Sequence, residues 1–459
     1  MERIKTDILV IGAGSGGLSV AAGASQMGAS VVLLEGGEMG GDCLNYGCVP
    51  SKSLLAIGKK ALTEDVSYAE AMGHVHQVID TIAPVDSQER FEGFGVRVIR
   101  AYGRFVGRNE VEAGDSLIKA RRIVIATGSS PMVPPIAGLA DVPYLTNETL
   151  WKLTEKPEHL IIVGGGHIGM ELAQAHVRLG CQVTVIEAAK ALGHSDPECA
   201  AFVVDQLKAE GVALLEGASV SAVAKDASGV TVTQSDGKEI TGSHILIATG
   251  RKPNVEGLNL EAAGISLDGP NIRVDANMKT SNNKVYAIGD VTGKLPFTHT
   301  AGYHAGVVVR SALFGLPARA SHAHIPYATY TQPELAQIGP TDAQARETYG
   351  DKLEITRFDI HHNDRAIAEG KASGLIKVMV VKGRPVGVSI AGEQAGELIT
   401  LWSLAIANRM KMSQVSAMVA PYPTYSEINK RAVGAYFTPR LFDNPWVKRV
   451  VRLVQRLLP

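Results

Sequence analysis

Asp7-Ile8-Leu9-Val10-Ile11-Gly12-Ala13-Gly14-Ser15-Gly16-Gly17 is the stretch that decides the fold. Ile8 to Ile11 is a continuous apolar run, the pattern of a strand buried on both faces of a parallel sheet. Glycines end it, and an Ala-rich helix is predicted from about Leu18. A second strand, Ser30 to Leu34, ends at Glu35. In such a strand–turn–helix unit Gly12 permits the turn. Gly14 lets a pyrophosphate approach the backbone, and Gly17 lets helix and strand pack closely. The helix N-terminus offers free N–H groups and a positive dipole end to that pyrophosphate, with Ser15 at its mouth. Glu35 is placed to accept hydrogen bonds from a ribose diol.

The same layout returns. His159 to Val163 is a predicted strand, followed by Gly164, Gly166 and Gly169, a helix running toward Arg178, and a strand from Gln182 ending at Glu187. Gly12 to Glu35 and Gly164 to Glu187 are both steps of 23. One glycine fingerprint is a weak signal; two in register, each with its strand, helix and carboxylate, are a strong one. Glu187 suits the free 2′-hydroxyl of NAD and repels a 2′-phosphate. Ala188, Ala189 and Lys190 follow it without an Arg, so NAD(H) is favoured over NADP(H). Two matched segments, Arg122 to Gly128 and His244 to Gly250, read as strand then turn, with Thr127, Gly128 and Gly250 at the turns. Lys284 to Asp290 reads as a strand ending in a carboxylate, where ligands sit in open α/β sheets.

At 459 residues the chain is too long for one core, and about three domains are expected. Lys and Arg number 45 against 46 Asp and Glu, so nothing suggests a global nucleic-acid field. No apolar run reaches 18 residues, so no transmembrane helix is expected. The N-terminal apolar run is too short for a signal peptide and suits a buried strand, so a reducing cytoplasm is the expected compartment. Four cysteines are too few for a disulfide scaffold.

Two of the four, Cys43 and Cys48, stand in Gly40-Gly41-Asp42-Cys43-Leu44-Asn45-Tyr46-Gly47-Cys48-Val49-Pro50-Ser51-Lys52. As a disulfide they would store two electrons. A structural disulfide and a zinc site are the competing readings; zinc would need further ligands, and Cys181 and Cys199 lie far away and suit core or surface thiols. A regular helix would set Cα atoms five residues apart at about 8.6 Å, whereas a disulfide needs them within about 7 Å. The segment must therefore be broken, and Gly47 is the residue that allows it. Pro50 suits the first turn of a following helix, whose N-terminus favours a thiolate at Cys48.

With both fingerprints, the Cys43–Cys48 segment, Gly289-Asp290 and a C-terminal Pro-Thr-x-Ser-Glu, the chain resembles the class I pyridine nucleotide-disulfide oxidoreductases. This group includes dihydrolipoamide dehydrogenase, glutathione reductase and mercuric reductase. The resemblance spans about residues 5 to 440. It implies an α/β fold with two Rossmann-like dinucleotide-binding domains plus a C-terminal α+β dimerisation domain. The expected boundaries are 1–150 for FAD, 151–279 for NAD, 280–324 for a return to the FAD domain, 325–440 for the interface and 441–459 for a basic tail. It assigns FAD to the first repeat, with Gly41, Gly103, Asp290 and Thr298 among its contacts. Lys52 would lie near the flavin and pair with Glu171. The implied assembly is a homodimer. Electrons would pass from NADH through flavin to the disulfide, with Cys48 facing the flavin and Cys43 attacking a small disulfide or dithiol-type substrate.

Two positions depart from the family pattern. Members acting on disulfides carry His-Pro-Thr near the C-terminus, with a Glu five residues after the His. Here Ala420-Pro421-Tyr422-Pro423-Thr424-Tyr425-Ser426-Glu427 places Tyr422 at the histidine position and keeps Glu427. Tyrosine titrates near 10 and is a poor base at neutral pH, though it can donate a hydrogen bond; packing at a dimer seam is its other reading. This opens the alternative of a mercuric-reductase-like reductase of metal ions or quinones. Against mercuric ion, that branch delivers the metal through adjacent C-terminal cysteines, and Arg456-Leu457-Leu458-Pro459 contains none. Asp42 replaces a usual Thr and adds negative charge beside Cys43, which raises a thiol's pKa. No resident metal is expected. In the tail, Val447, Val450, Val451, Val454, Leu457 and Leu458 share one helical face, with Lys448, Arg449, Arg452 and Arg456 off it. That pattern suits a peripheral membrane contact through residues 444–459 at the inner surface, or a terminal helix packed on its own dimer.

Overall fold

The structure, a computed structural model, describes residues 1–226 and 229–458. It contains two compact units. The first holds Met1–Gly165, Ala175–Ala188 and Gly217–His322; the second holds Gly166–Gln174, Ala189–Glu216 and Ala323–Pro459.

In the first unit, strand Glu2–Ile11 lies between Val31–Leu34 and Ser116–Ile125, parallel to both. Val96–Ile99 extends one side in parallel, and Val285–Ala287 pairs with Ser116–Ile125. The period of two along each strand divides the apolar run between two cores. Ile8, Val10, Val31 and Leu33 face one cluster with Leu18, Ala21, Ala305 and Val308. Leu9, Ile11, Val32 and Leu34 face the other with Phe105, Ile118 and Ile123. Each such fully buried aliphatic side chain contributes about 1.5–3 kcal/mol, so the strand is held from both faces.

The first helix runs Ser15–Gln26 and so starts earlier than Leu18. Gly16 and Gly17 lie within it, because their missing side chains allow the turn to press against the sheet. The 284–290 segment is also shorter than expected. Its strand ends at Ala287, and Asp290 sits in the following one-turn helix Gly289–Thr292. The second repeat forms as expected, with His159–Val163 parallel to Gln182–Glu187 and to His244–Ile247. Ser129–Pro131 and Arg251–Pro253 pair antiparallel, which joins the ends of the two matched strand–turn segments.

The second unit contains a five-stranded antiparallel sheet, ordered Pro326–Thr329, Glu334–Ile338, Arg384–Gly392, Leu375–Val381 and Leu353–Asp359. Trp402 and Ile428, from helices Thr400–Ala407 and Glu427–Phe442, share its core with Ile376, Val378 and Ile390. The buried Trp402 indole donates to Asn429 Oδ1 at 2.8 Å, and Asn429 Nδ2 donates to the Leu398 carbonyl. The wide aromatic is thereby buried without an unsatisfied N–H. Among the described residues no helix is long and apolar enough to cross a membrane, and no group of three or more His, Cys, Asp or Glu is placed to hold a metal ion.

Candidate active site

The two glycine loops have the same internal geometry. Gly12 has φ +107°, and a Cβ there would lie 2.4 Å from the Ala126 carbonyl oxygen. Gly164 has φ +113°, with the same 2.4 Å approach to the Ala248 oxygen. Each loop is thus pressed onto the turn of its neighbouring strand–turn segment. At Gly14 and at Gly166 a Cβ would meet nothing within 4 Å, so the backbone there is open to a ligand. Ser15 opens the first helix, and Gly169 lies in the second, His167–Arg178. Glu35 accepts from the Ala13 and Gly37 amides at 2.6 and 2.7 Å. Glu187 accepts from the Gly165 amide at 2.7 Å. Both carboxylates are held at the rim of their loop.

The cysteine segment is anchored to the first loop. The Gly40 amide donates to the Ala13 carbonyl. Gly41 has φ +62°, and a Cβ on it would sit 2.7 Å from Gly14 Cα. Only glycine combines that backbone with that approach. Cys43 lies in the short helix Gly41–Asn45, and Cys48 opens the helix Cys48–Lys60. The break falls at Tyr46 and Gly47, and a Cβ at Gly47 would meet Asp42 Oδ2 at 2.9 Å. Leaving out the regular turn brings the two sulfurs into hydrogen-bond contact as free thiols. That hydrogen bond to Cys48, then burial and the Cys48 charge, push the Cys43 thiol far up; Asp42 adds a smaller push. Burial and the neighbouring sulfur thus favour the neutral form of Cys43. Cys48 Sγ also lies 3.4 Å from Thr298 Oγ1, at the start of helix Thr298–Phe314. Cys181 and Cys199 are buried, and burial raises both thiols, Cys181 to about 11.

Around this segment lies a polar network that sequence reasoning missed. Arg251 pairs with Asp42 at 3.0 Å and donates to the Ser129 hydroxyl and carbonyl, each at 2.7 Å. Ser129 donates to Asp290 Oδ2 at 2.6 Å. Burial pushes the Asp290 carboxyl up, opposed by Ser129 and Arg251. Asn147 also donates to Asp42. Thr127 donates to the Asn254 carbonyl, and the Asn254 amide returns a bond to Thr127 O. A signal was available: Ser129 and Arg251 each directly follow the glycine of a matched strand–turn segment. Gly103 is buried, and a Cβ there would meet Leu34 Cδ1 at 2.8 Å. His304, fully buried, accepts from the Gly289 amide at 3.2 Å through Nδ1, and its Nε2 lies 2.8 Å from His322 Nε2.

The remaining site residues are placed as follows. Lys52 is half-buried on the Cys48–Lys60 helix and donates to Ser51 Oγ. Glu171, in the second unit, is 3% exposed and accepts from the Tyr330 amide at 2.8 Å. Also in the second unit, Tyr422 is 70% exposed, and its hydroxyl donates to Asp364 Oδ2 at 2.9 Å. That bond is the first cause pushing the phenol up. Glu427 begins the helix Glu427–Phe442 and lines a groove of about 590 Å³ with Phe358, Lys430 and Arg431. The hydroxyl of Tyr422 thus goes to Asp364, a residue without a motif to mark it.

Residues 6–305 match the family model described as pyridine nucleotide-disulphide oxidoreductase, and 325–433 match that family's dimerisation domain. The chain belongs to this family. It is a flavoprotein oxidoreductase that uses FAD and NAD(P)H and assembles as a homodimer. It is 33% identical over 442 residues to a mercuric reductase of Lysinibacillus sphaericus, covering 92% of this chain and 81% of that one. A dihydrolipoyl dehydrogenase of Bacillus subtilis is 31% identical over 444 residues, covering 92% and 96%. Among solved structures, the Cu(II) complex of the HOCl-induced flavoprotein disulfide reductase RclA from Escherichia coli superposes with a TM-score of 0.86 at 27% identity, covering 93% and 99%. LpdA from Mycobacterium tuberculosis superposes at 0.87 and 26%, covering 95% and 99%. The first loop fits FAD on its own geometry: an open Gly14 backbone, a carboxylate at its rim, and the buried Asp290 nearby in the same polar network.

Proposed function

We propose that the enzyme is an NADH-linked thiol/disulfide oxidoreductase that sends two electrons through Cys43 and Cys48 to a small disulfide or dithiol-type acceptor. The observation that carries this is the contact of the two sulfurs across the break at Gly47, on a segment tied to the Gly14 loop. Residues 1–150 and 280–324 would hold FAD, 151–279 the nicotinamide nucleotide and 325–440 the dimer contact. Gly12, Gly14, Ser15, Gly17, Glu35, Gly41, Gly103, Thr127, Gly128, Asp290 and Thr298 would line FAD. Gly164, Gly166, Gly169, Glu187 and Gly250 would line NAD(H), and Lys52 would pair with Glu171. Bound there, FAD supplies two-electron transfer between nicotinamide and the cysteine pair. On the protein side, the reduced pair carries its proton on Cys43. Once that proton leaves, Cys43 attacks one sulfur of the acceptor disulfide, forming a mixed disulfide and releasing one thiolate. The Cys48 thiolate then attacks Cys43 Sγ, releasing the second thiolate and restoring the disulfide. The enzyme would work in the cytoplasm, touching the inner membrane surface through residues 444–459.

A second reading, reduction of a soft metal ion as substrate, draws support from Tyr422. General acid–base help is worth about 10² to 10⁴ in rate, and the phenol tied to Asp364 is a poor base. A metal ion bound by sulfur deprotonates the thiol without a base. Relatives named mercuric reductase and the Cu(II) complex of RclA add weight.

Anaerobic titration of the holoenzyme tests the core of the proposal. NADH should produce a long-wavelength thiolate-to-flavin absorption band near half reduction, and Cys48→Ser should abolish it. An unchanged band in Cys48→Ser would sink the assignment. NADPH should require at least about tenfold more cofactor for the same rate, on the Glu187 argument. Steady-state rates with lipoamide, glutathione disulfide, mercuric ion and cupric ion then divide the two acceptor readings.

A further inference from the structure

We propose that the C-terminal helix Pro445–Leu457 is an anchor that selects anionic phospholipid surfaces. It rests on the membrane contact proposed above and adds the identity of the surface. The helix is well specified locally. Asn444 Oδ1 caps it by accepting from the Trp446 amide at 3.0 Å, and Pro445 occupies its first turn. At about 100° per residue, Trp446, Val450, Leu453 and Leu457 fall within about 60° of one another. Val447, Val451 and Val454 widen that face to an arc of about 160°. Lys448, Arg449, Arg452 and Arg456 fill the opposite side with Gln455. Leu453 and Trp446 therefore join the stripe, and the two faces do not mix.

Within one protomer this apolar face lies open, with Val447 alone half-buried among its residues. Trp446 is 70% exposed, Val450 50%, Leu453 57% and Leu457 71%. Leu441 and Phe442, at the end of the preceding helix, extend the exposed stripe at 48% and 65%.

Two observations choose the occupant. Residues 444–459 carry four cationic side chains and no acidic one, within a chain whose formal net charge is −1. A second copy of the helix would bring only like charges, with nothing to form the flanking ion pairs of a helix pair. The apolar arc is also wider than the narrow seam two paired helices bury. A lipid surface fits both features: the wide face enters the acyl boundary, and the long cationic side chains reach back to phosphate. Each cation near an anionic surface strengthens binding about fivefold.

The test is co-sedimentation of the full-length holoenzyme with vesicles of phosphatidylcholine alone or containing about 30% phosphatidylglycerol. At least tenfold stronger binding to the anionic vesicles is expected, weakening as salt rises. Leu453→Asp should remove it. Arg449→Gln, Arg452→Gln and Arg456→Gln should each cost about fivefold. NADH-dependent turnover of a soluble acceptor should stay unchanged in all four variants. Equal binding to both vesicle types overturns the lipid selectivity while leaving membrane contact standing. Equal recovery with and without residues 444–459 overturns both. A change in oligomeric mass on deleting those residues, measured by light scattering, assigns the helix to a contact between copies of this chain and overturns the anchor.

Discussion

The segment around Cys43 and the segment around Tyr422 are held in opposite ways. Cys43 sits in a stretch fixed from several sides: Gly40 and Gly41 against the first loop, Asp42 on Arg251 and Asn147, and Thr298 beside the sulfurs. Tyr422 is 70% exposed, and its hydroxyl is held by Asp364. The first region is organised to hold two sulfurs in contact. The second presents a neutral hydroxyl where relatives acting on disulfides present a base. On the proposed function, storage of the electron pair falls to the tightly held region and exchange with an outside disulfide to the loosely held one.

The largest expected effect comes from giving the loose region what it lacks. Tyr422→His should raise lipoamide turnover by about 10²-fold, the lower end of general acid–base help. A new limb near pH 6.5 should appear in the pH–rate profile. Tyr422→Phe, which removes only the bond to Asp364, should change the rate by less than about twofold if that bond has no catalytic role. No gain with histidine would mean that the missing base is not the limit, and would favour an acceptor that needs none.

Next in size is an attack on the tight region. Gly41→Ala forces a side chain into left-handed backbone and to within 2.7 Å of Gly14 Cα. The backbone cost alone is about 1–2 kcal/mol, and relief would push the loop off its dinucleotide geometry. FAD affinity should fall at least about tenfold, read as flavin lost on gel filtration. Full flavin retention would show that the 40–41 segment is not part of the loop's support.

The two regions also differ in how well their sequence foretold them. The glycine loops were legible because backbone constraints leave a signature in residue type and spacing: Gly12 and Gly164 must bend, and the carboxylates follow after equal intervals. The break at Gly47 was legible from disulfide geometry alone. Partners brought together by tertiary folding left no such trace. Arg251 reaches Asp42 across more than 200 residues, and Asp364 reaches Tyr422 across 58. The first helix started earlier than propensity suggested, because Gly16 and Gly17 are selected for close packing rather than for helix formation.

His304 offers the smallest effect and the finest probe of the tight region. Its Nδ1 accepts from Gly289, so the neutral ring carries its proton on Nε2, toward His322. Burial first, then His322, push it down to about 4. A histidine held neutral in the folded state and titrating near 6.5 when unfolded contributes stability that is complete above pH 6.5. That contribution is lost progressively as pH falls from 6.5 toward 4, where the folded ring also protonates. The buried Asp290 next door is raised and works in the opposite sense, so only a difference between variants isolates the histidine. His304→Gln retains an acceptor for Gly289 and cannot titrate. The fall in melting temperature between pH 7.5 and pH 5 should therefore shrink by about 1–3 °C in the variant. The same comparison in Tyr422→Phe should leave the fall unchanged, because an exposed phenol does not titrate in that window. An unaltered fall in His304→Gln would mean that the ring does not hold the Gly289–Asp290 turn as its geometry indicates. The tight region would then owe its set position to the Ser129–Arg251 side of the network alone.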